Sequence, residues 1–347
     1  MPKKKRISII EVAEAAGVSR QTVSRVLNNR PDVAPVTRTR VKDVIQTLSY
    51  KPSALARTLS QGTSCTLGVI GYGLEYYGNS RVLSVIESQA NDRGYSLALN
   101  LIHEPELNDV DHFIGELIAQ HVVGIIWAVP HIGKNRDWLL STIDRITTPI
   151  ICVSMEPHPD LSVVEVDNFA GGRLATRHLI SQCYQKIGVI TGPSSWWASC
   201  QRLEGWKAAM KEARLVASMD WVIEGDWTAK SGYLGAAQLL KQTPQIEAIF
   251  AFNDPMALGV QKSAIHLGLE VPGDLALVGY DNIPESEFYP TSLTTVRQGF
   301  TELGIMAMEE LERRIQEEKE ETASTPKNIL IPPELIIRAS SFREHSF

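Results

Sequence analysis

At 347 residues the chain is too long for one ordinary hydrophobic core, so two or three globular units are expected, and 44% hydrophobic residues suffice to fill them. No run approaches the ~18 apolar residues of a membrane span, and no apolar stretch follows Lys3, Lys4, Lys5 and Arg6, which speaks against a secretory signal and for a cytoplasmic location. The net charge of −6 hides an asymmetry: residues 1–60 hold 12 Lys/Arg against 4 Asp/Glu, and residues 61–347 hold 22 against 36, a basic head that suits DNA on an acidic body that does not.

The cationic Lys3–Arg6 stretch reads either as an arm for phosphate contacts or as an incidental solvated tail. Next comes ISIIEVAEAAGVSRQTVSRVL, residues 7–27. Ser8 with Glu11 is a capping-box start, Val12, Ala13 and Ala16 give a first short helix its apolar face, and Gly17 is suited to the left-handed turn that stops it. Ser19 caps a second helix with Val23, Val26 and Leu27 on its apolar face, while Arg20, Gln21, Ser24 and Arg25 fall on the opposite side. Arg and Gln pair bidentately with guanine and adenine edges, and their place in the first turn matches helix-turn-helix docking. A plain two-helix hairpin with a solvated face is the alternative. After a turn-rich stretch from Asn28 to Val33, Pro35 opens a third helix, with Val41, Val44, Ile45 and Leu48 closing the head.

The segments VAEAAGVSRQTVSRVLNN and TRTRVKDVIQTLSYKPSALARTL closely resemble the DNA-binding headpiece of the lac/gal repressor family of bacterial transcription regulators, and the resemblance continues through nearly the whole chain. It implies a DNA-reading set of Ser19, Arg20, Gln21, Thr22, Ser24, Arg25 and Asn28. It also makes residues 52–64 a hinge helix and linker, with Leu59 as a minor-groove wedge and Ala56 allowing close approach of two protomers' helices. An ordinary linker helix is the competing reading of that segment. Ala34 stands where the family usually has a Ser or Thr cap on the third helix.

From Cys65 the pattern changes to short apolar runs, TLGVIGY, YSLALNL, VGIIWAV, IICVSM, IGVIT, EAIFAF and LALVGY. Between them lie amphipathic stretches at Val82–Arg93, Asp109–His121, Gly171–Ser181 and Gly232–Lys241. Such runs read as parallel strands buried on both faces, hence an α/β body of two successive doubly wound sheets, breaking near Val166-Asp167-Asn168 and returning over Thr295–Glu321. The resemblance implies two subdomains of the periplasmic-binding-protein-like type I kind, one formed by about 65–166 plus 296–325 and the other by about 167–294 plus 326–342, after a head of residues 1–51, with a ligand held between them. Cys65, Cys152, Cys183 and Cys200 lack metal-ligand spacing and read as reduced thiols.

Ligands of open α/β sheets sit off the carboxyl ends of strands. Arg202, Asn253 and Asp281 fall there and match family positions that contact effectors; for Arg202 and Asp281 a structural ion pair is the alternative. Asp254 beside Pro255 reads better as a helix cap than as a ligand contact. Tyr76, Trp127, Trp196 and Trp227 lie at strand ends or just beyond and join the ligand-binding set, because aromatic faces stack on pyranose rings; Trp206 and Trp221 are assigned to core. Trp196 and Trp197 stand where the family often has a small polar residue, which leaves the exact ligand class open.

Catalysis finds little support. Gly71-Tyr-Gly73 is a fragment of a dinucleotide fingerprint, and the eight histidines show no metal or triad spacing. A stand-alone sugar-binding protein is the more serious rival, but it does not explain the head. The reading adopted is a homodimeric repressor of carbohydrate genes without cofactor or metal, released from a pseudo-palindromic operator by a small sugar, with a ligand-activated co-repressor or activator as the variant. The resemblance places dimer contacts at Val82–Ser88 and around Ala257–Gln261. The C-terminal PPELIIRASSFREHSF has no sustained heptads for a tetramerising coiled coil.

Overall fold

The structure, a computed structural model, describes residues 7–27, 30–48, 50, 64–104, 111–322 and 325–342. It divides into two compact units, Met1–Cys65 and Thr66–Phe347.

The first unit is a three-helix head: α1 (Ile9–Ala16), α2 (Arg20–Leu27) and α3 (Pro35–Thr47). Both halves of the capping box form on α1, with the Glu11 carboxylate accepting from the Ser8 N–H at 2.7 Å and the Ser8 hydroxyl accepting from the Glu11 N–H at 3.4 Å. Gly17 ends α1 in the left-handed region at φ 61°, which turns the chain into α2. No side chain caps α3 at Ala34. Val12, Ala13, Ala16, Val23, Val26, Val33 and Val41 form the buried core, together with Tyr50.

The second unit is two lobes, each a six-stranded sheet covered by helices. The first sheet contains β1 (Thr66–Tyr72), β2 (Ser96–Ile102), β3 (Ile125–Ala128), β4 (Ile150–Val153), β5 (Val163–Val166) and β11 (Asn328–Ile331), in the order β11-β5-β4-β3-β1-β2, all parallel. The second contains β6 (Ile187–Thr191), β7 (Val222–Glu224), β8 (Ala248–Ala251), β9 (Ala276–Asp281), β10 (Thr294–Arg297) and β12 (Glu334–Ile336), in the order β12-β10-β9-β8-β6-β7, with only β12 antiparallel. The helices are α4 (Tyr77–Asp92), α5 (Asp111–Ala119), α6 (Asn135–Thr142), α7 (Asn168–Ser181), α8 (Trp197–Glu212), α9 (Ala229–Gln242), α10 (Asp254–Leu267) and α11 (Phe300–Lys319). Central strands such as β3, β4, β6 and β8 are buried at every position, as parallel strands covered on both faces must be.

The chain crosses between lobes three times, after β5, after β10 and between β11 and β12. The last two crossings differ from the sequence reading. Residues 296–297 belong with β10 in the second sheet, and Asn328–Ile331 pair with Val163–Val166 in the first, so 326–331 is not part of the second lobe. These strands are three or four residues long, too short for periodicity to say which sheet they join. The described helices α4, α7 and α9 each begin before the apolar stripe that marks them in the sequence; the first turns of α4 and α7 face the cleft, with Tyr77, Asn79 and Asn168 on its wall.

Candidate effector cavity and DNA-reading face

In the head, α2 presents the polar face read from the sequence. The Ser19 hydroxyl accepts from the Thr22 N–H at 3.1 Å and lies 3.0 Å from the Thr22 hydroxyl, so the helix start is fixed by two of the residues assigned to DNA. Arg20 and Gln21 are exposed, Ser24 is half-buried, and exposed Arg25 is 3.2 Å from Asp32. That surface pair exchanges at little cost for a phosphate contact. Asn28, Ala56 and Leu59, with the Lys3–Arg6 arm and the 52–63 part of the hinge segment, lie outside the described residues.

In the body, a cleft of about 1050 Å³, including its open mouth, lies between the lobes and is lined by residues at the carboxyl ends of strands in both sheets. The second lobe supplies its most tightly anchored polar groups. Arg202 is buried on α8, its Nε donating to Asn168 Oδ1 at 2.9 Å, its Nη1 to the Phe252 carbonyl, and its guanidinium lying 3.7 Å over the Tyr280 ring. Asn253, after β8, accepts from the Met256 N–H at 2.8 Å as the cap of α10 and donates to the Trp227 carbonyl at 2.9 Å. Asp281, at the end of β9, accepts from Gln298, and burial pushes its carboxyl up to about 6 against the opposing pull of Arg202 and Gln298.

Three lining residues with side chains adopt positive φ: Ser154 at 58°, Trp227 at 71° and Asp281 at 112°. Such backbone costs about 1–3 kcal/mol per residue and persists where surrounding contacts dictate it. Trp227 is seated directly against Gly192, where any Cβ would collide with its indole ring.

Aromatic rings continue the wall. Tyr76 meets Trp196 edge-on with centroids 5.2 Å apart, Trp196 meets Trp227 edge-on at 5.5 Å, and Tyr72 lies 6.1 Å from Trp196. Glu165, inside β5, is a buried acid on the cavity wall; burial raises its carboxyl to about 8, opposed by contacts with Asn168 and Trp197.

A family model for bacterial regulatory proteins of the lacI family matches residues 8–53, and one for a periplasmic binding protein-like domain matches residues 176–341. Over 335 residues the chain is 37% identical to the HTH-type transcriptional repressor PurR of Actinobacillus pleuropneumoniae serotype 3 (strain JL03), covering 96% of this chain and 98% of that protein. The chain belongs to the LacI family. A PurR of Haemophilus influenzae (strain PittEE) is 36% identical with the same coverage. Among solved structures, a lac repressor dimer bound to operator and the anti-inducer ONPF superposes with a TM-score of 0.86 at 28% identity, covering 98% of this chain and 100% of that one. A complex of the regulator CelR with cellobiose superposes at 0.71, also at 28% identity, covering 96% and 100%. This LacI-family chain is a DNA-binding transcriptional repressor under small-molecule control. Among the described residues no helix is long and apolar enough to cross a membrane.

Of the residues assigned to the effector from sequence, Tyr76, Trp196, Arg202, Trp227, Asn253 and Asp281 all line this one cavity. Trp127 does not. It is fully buried in the first lobe's core, donates to the Val129 carbonyl at 3.2 Å and stacks on Trp138, because it points to the helix-covered face of β3 while the neighbouring Ala128 turns to the cleft. Asp254 is not the cap either; that is Asn253. Asp254 is buried, accepts from the Thr295 hydroxyl at 2.6 Å and the Ile283 N–H at 2.8 Å, and is pushed well above the ordinary carboxylate range by burial. No Arg202–Asp281 ion pair forms among the described residues. Trp206 is core as read, whereas Trp221 is only half-buried against it. Sequence reasoning missed Glu165, His131, Asn168, Gln298 and Phe300. Glu165 alone carries a local signal, a single charge inside the otherwise apolar VVEV.

Proposed function

We propose that the controlling molecule is a small carbohydrate, that it acts as an inducer, and that the repressor it releases is a dimer on a pseudo-palindromic operator. The observation that carries the sugar reading is the aromatic wall of Tyr76, Trp196 and Trp227 lining the same cavity as the polar set of Arg202, Asn253 and Asp281. A pyranose has apolar faces for rings and a belt of hydroxyls for fixed donors and acceptors. The rings meet edge-to-face and in contact, so this wall offers no parallel pair between which a flat base would sandwich. The cellobiose carried by the similar CelR fits the same chemistry.

A thermal-shift and calorimetric series with cellobiose, lactose and hypoxanthine tests this. A saccharide at about 100 times its Kd should stabilise the body by about 2.7 kcal/mol. Stabilisation by hypoxanthine alone would replace the sugar with a base.

For DNA, Arg20 and Gln21 are the base readers, with Arg25 and Ser24 beside them. Arg20→Ala or Gln21→Ala should each lower discrimination between operator and random duplex by about 1–3 kcal/mol at fixed salt. Unchanged discrimination would remove these residues from recognition. For the dimer, the sequence placed contacts at 82–88 and 257–261. In α10, however, Ala257, Gly259, Val260 and Gln261 are buried within the chain, and only Leu258 of that stretch is exposed, with Ile265 two turns on. Leu258 and Ile265, with the exposed Ser84, Glu87 and Ser88 of α4, are the contacts proposed.

A further inference from the structure

Beside the cavity the two lobes are tied by a short piece of antiparallel backbone. Residues 129–133, after β3 of the first lobe, meet residues 195–197, at the start of α8 in the second. Ile132 bridges Trp196, the Gly133 N–H donates to the Ser195 carbonyl at 2.9 Å, and the Trp197 N–H donates to the His131 carbonyl at 3.0 Å.

Both sides of the tie are built rather than loose. Buried Asn135 accepts from the Ile132 N–H at 3.2 Å and donates to the Pro130 carbonyl at 2.7 Å, which fixes the first strap. On the second, the Ser194 N–H donates to Glu224 at 2.9 Å and the Ser199 hydroxyl to the Gly192 carbonyl at 2.9 Å.

Like Trp196, whose ring meets Tyr72 and Tyr76 of the first lobe, Trp197 reaches across to the opposite lobe. Its ring packs on that of His131 with centroids 6.0 Å apart at 32°, and its indole lies near enough to the buried Glu165 carboxyl on β5 to oppose the upward pull of burial on that acid. His131 in turn lies 3.5 Å from Glu156, which is paired with Arg136. One residue of the second lobe thus rests on two anchors of the first.

We propose that Trp197 is a latch that holds the two lobes together, with His131 and Glu165 as its catch. Two backbone hydrogen bonds across a cleft, both near solvent, are worth only about 0.5–1.5 kcal/mol each and do not fix a lobe arrangement alone. An aromatic contact and a buried polar contact added at the same point make the closed arrangement cooperative. His131 and Glu165 also line the cavity, so a molecule bound there touches the catch directly and biases the lobe arrangement through it. Within the Trp196-Trp197 doublet, both rings touch the first lobe, but only Trp196 also lines the cavity, so Trp197 is free to serve the tie alone.

Hydrogen–deuterium exchange on the full-length protein without added ligand tests the latch, because the Gly133 amide is protected only by the bond across the cleft. Trp197→Ala should speed exchange at Gly133 at least tenfold while amides within β6 and β8 keep wild-type rates. A wild-type rate at Gly133 in that variant overturns the proposal. If Trp197→Ala also exposes β6 and β8, Trp197→Leu, which retains apolar volume but can neither stack on His131 nor donate to Glu165, decides by the same comparison. Glu165→Gln, which leaves the ring contact in place, should raise the Gly133 rate by a smaller factor than Trp197→Ala; an equal or larger factor would make the acid, not the indole, the centre of the latch.

Discussion

The two lobes share an architecture yet contribute unlike surfaces to the cavity. The second lobe brings Arg202, Asn253, Asp281 and Trp227, each locked by interior contacts: Arg202 to Asn168 and Phe252, Asn253 to Met256 and Trp227, Asp281 to Gln298. The first lobe brings an apolar strip of Tyr76, Val82, Ala128, Pro130 and Val153 flanked by Asn79, His131 and Ser154, with Glu165 as its one buried acid. A preorganised polar set loses little on binding, whereas an apolar wall gains by being covered. On the proposed reading the second lobe sets affinity and stereochemistry, and the first adds area.

The sharpest way to break that division is Arg202→Ala. It strands the buried Phe252 carbonyl, about 1–3 kcal/mol, and leaves Asn168 Oδ1 with only the 3.4 Å bond from the Tyr280 hydroxyl, so saccharide binding should vanish and the body should melt at lower temperature. Calorimetry beside a melting curve checks both, and retained saccharide affinity would take the polar anchor away from the second lobe.

The next effect is one of pH. Glu165 is raised from 4.5 to about 8 by burial, so the folded chain holds a proton that the unfolded chain releases between those values. Stability from this group is complete below about pH 4.5 and lost as pH rises through about 8, a swing of a few kcal/mol at most by the ~1.4 kcal/mol per pH unit of such shifts. Glu165→Gln should flatten that part of the stability profile. An unaltered profile would mean that the first lobe's acid is solvated.

Asp281→Asn is expected to weaken saccharide binding by about 1.5–3 kcal/mol, the worth of a hydrogen bond to a charged group, while operator affinity stays near wild type. Loss of both would signal damage to the fold. Smallest is Tyr76→Ala on the first lobe's rim, about 0.5–1.5 kcal/mol of saccharide affinity. A Tyr76 effect exceeding that of Asp281 would invert the comparison.

What was legible in the sequence follows from how local each feature is. The head's helices, its capping box and its Gly17 turn depend on residues three or four apart, and these appear in the structure as read. Asn253 and Asp281 were visible because they directly follow strong apolar runs. Trp127 was misplaced because a strand buried on both faces has no polar alternation to say which way a ring points, and Trp127 and Ala128 face opposite sides. His131, Asn168, Gln298 and Phe300 meet only when the ends of β3, β5 and β10 and two inter-lobe crossings converge, a condition no spacing in the chain records. The short strands β10, β11 and β12 escaped for the same reason, since their partners are distant in sequence.

The central claim is that occupation of the inter-lobe cavity by a saccharide releases the head from DNA. Its most direct measurement selects the preferred duplex from random DNA with the full-length protein, then follows fluorescence anisotropy of that duplex as cellobiose or lactose is added. The account predicts a palindromic preference, release on saccharide addition, and no release from the Asp281→Asn variant at the same concentration. A duplex that no saccharide displaces, or that hypoxanthine binds more tightly to the protein, would contradict it.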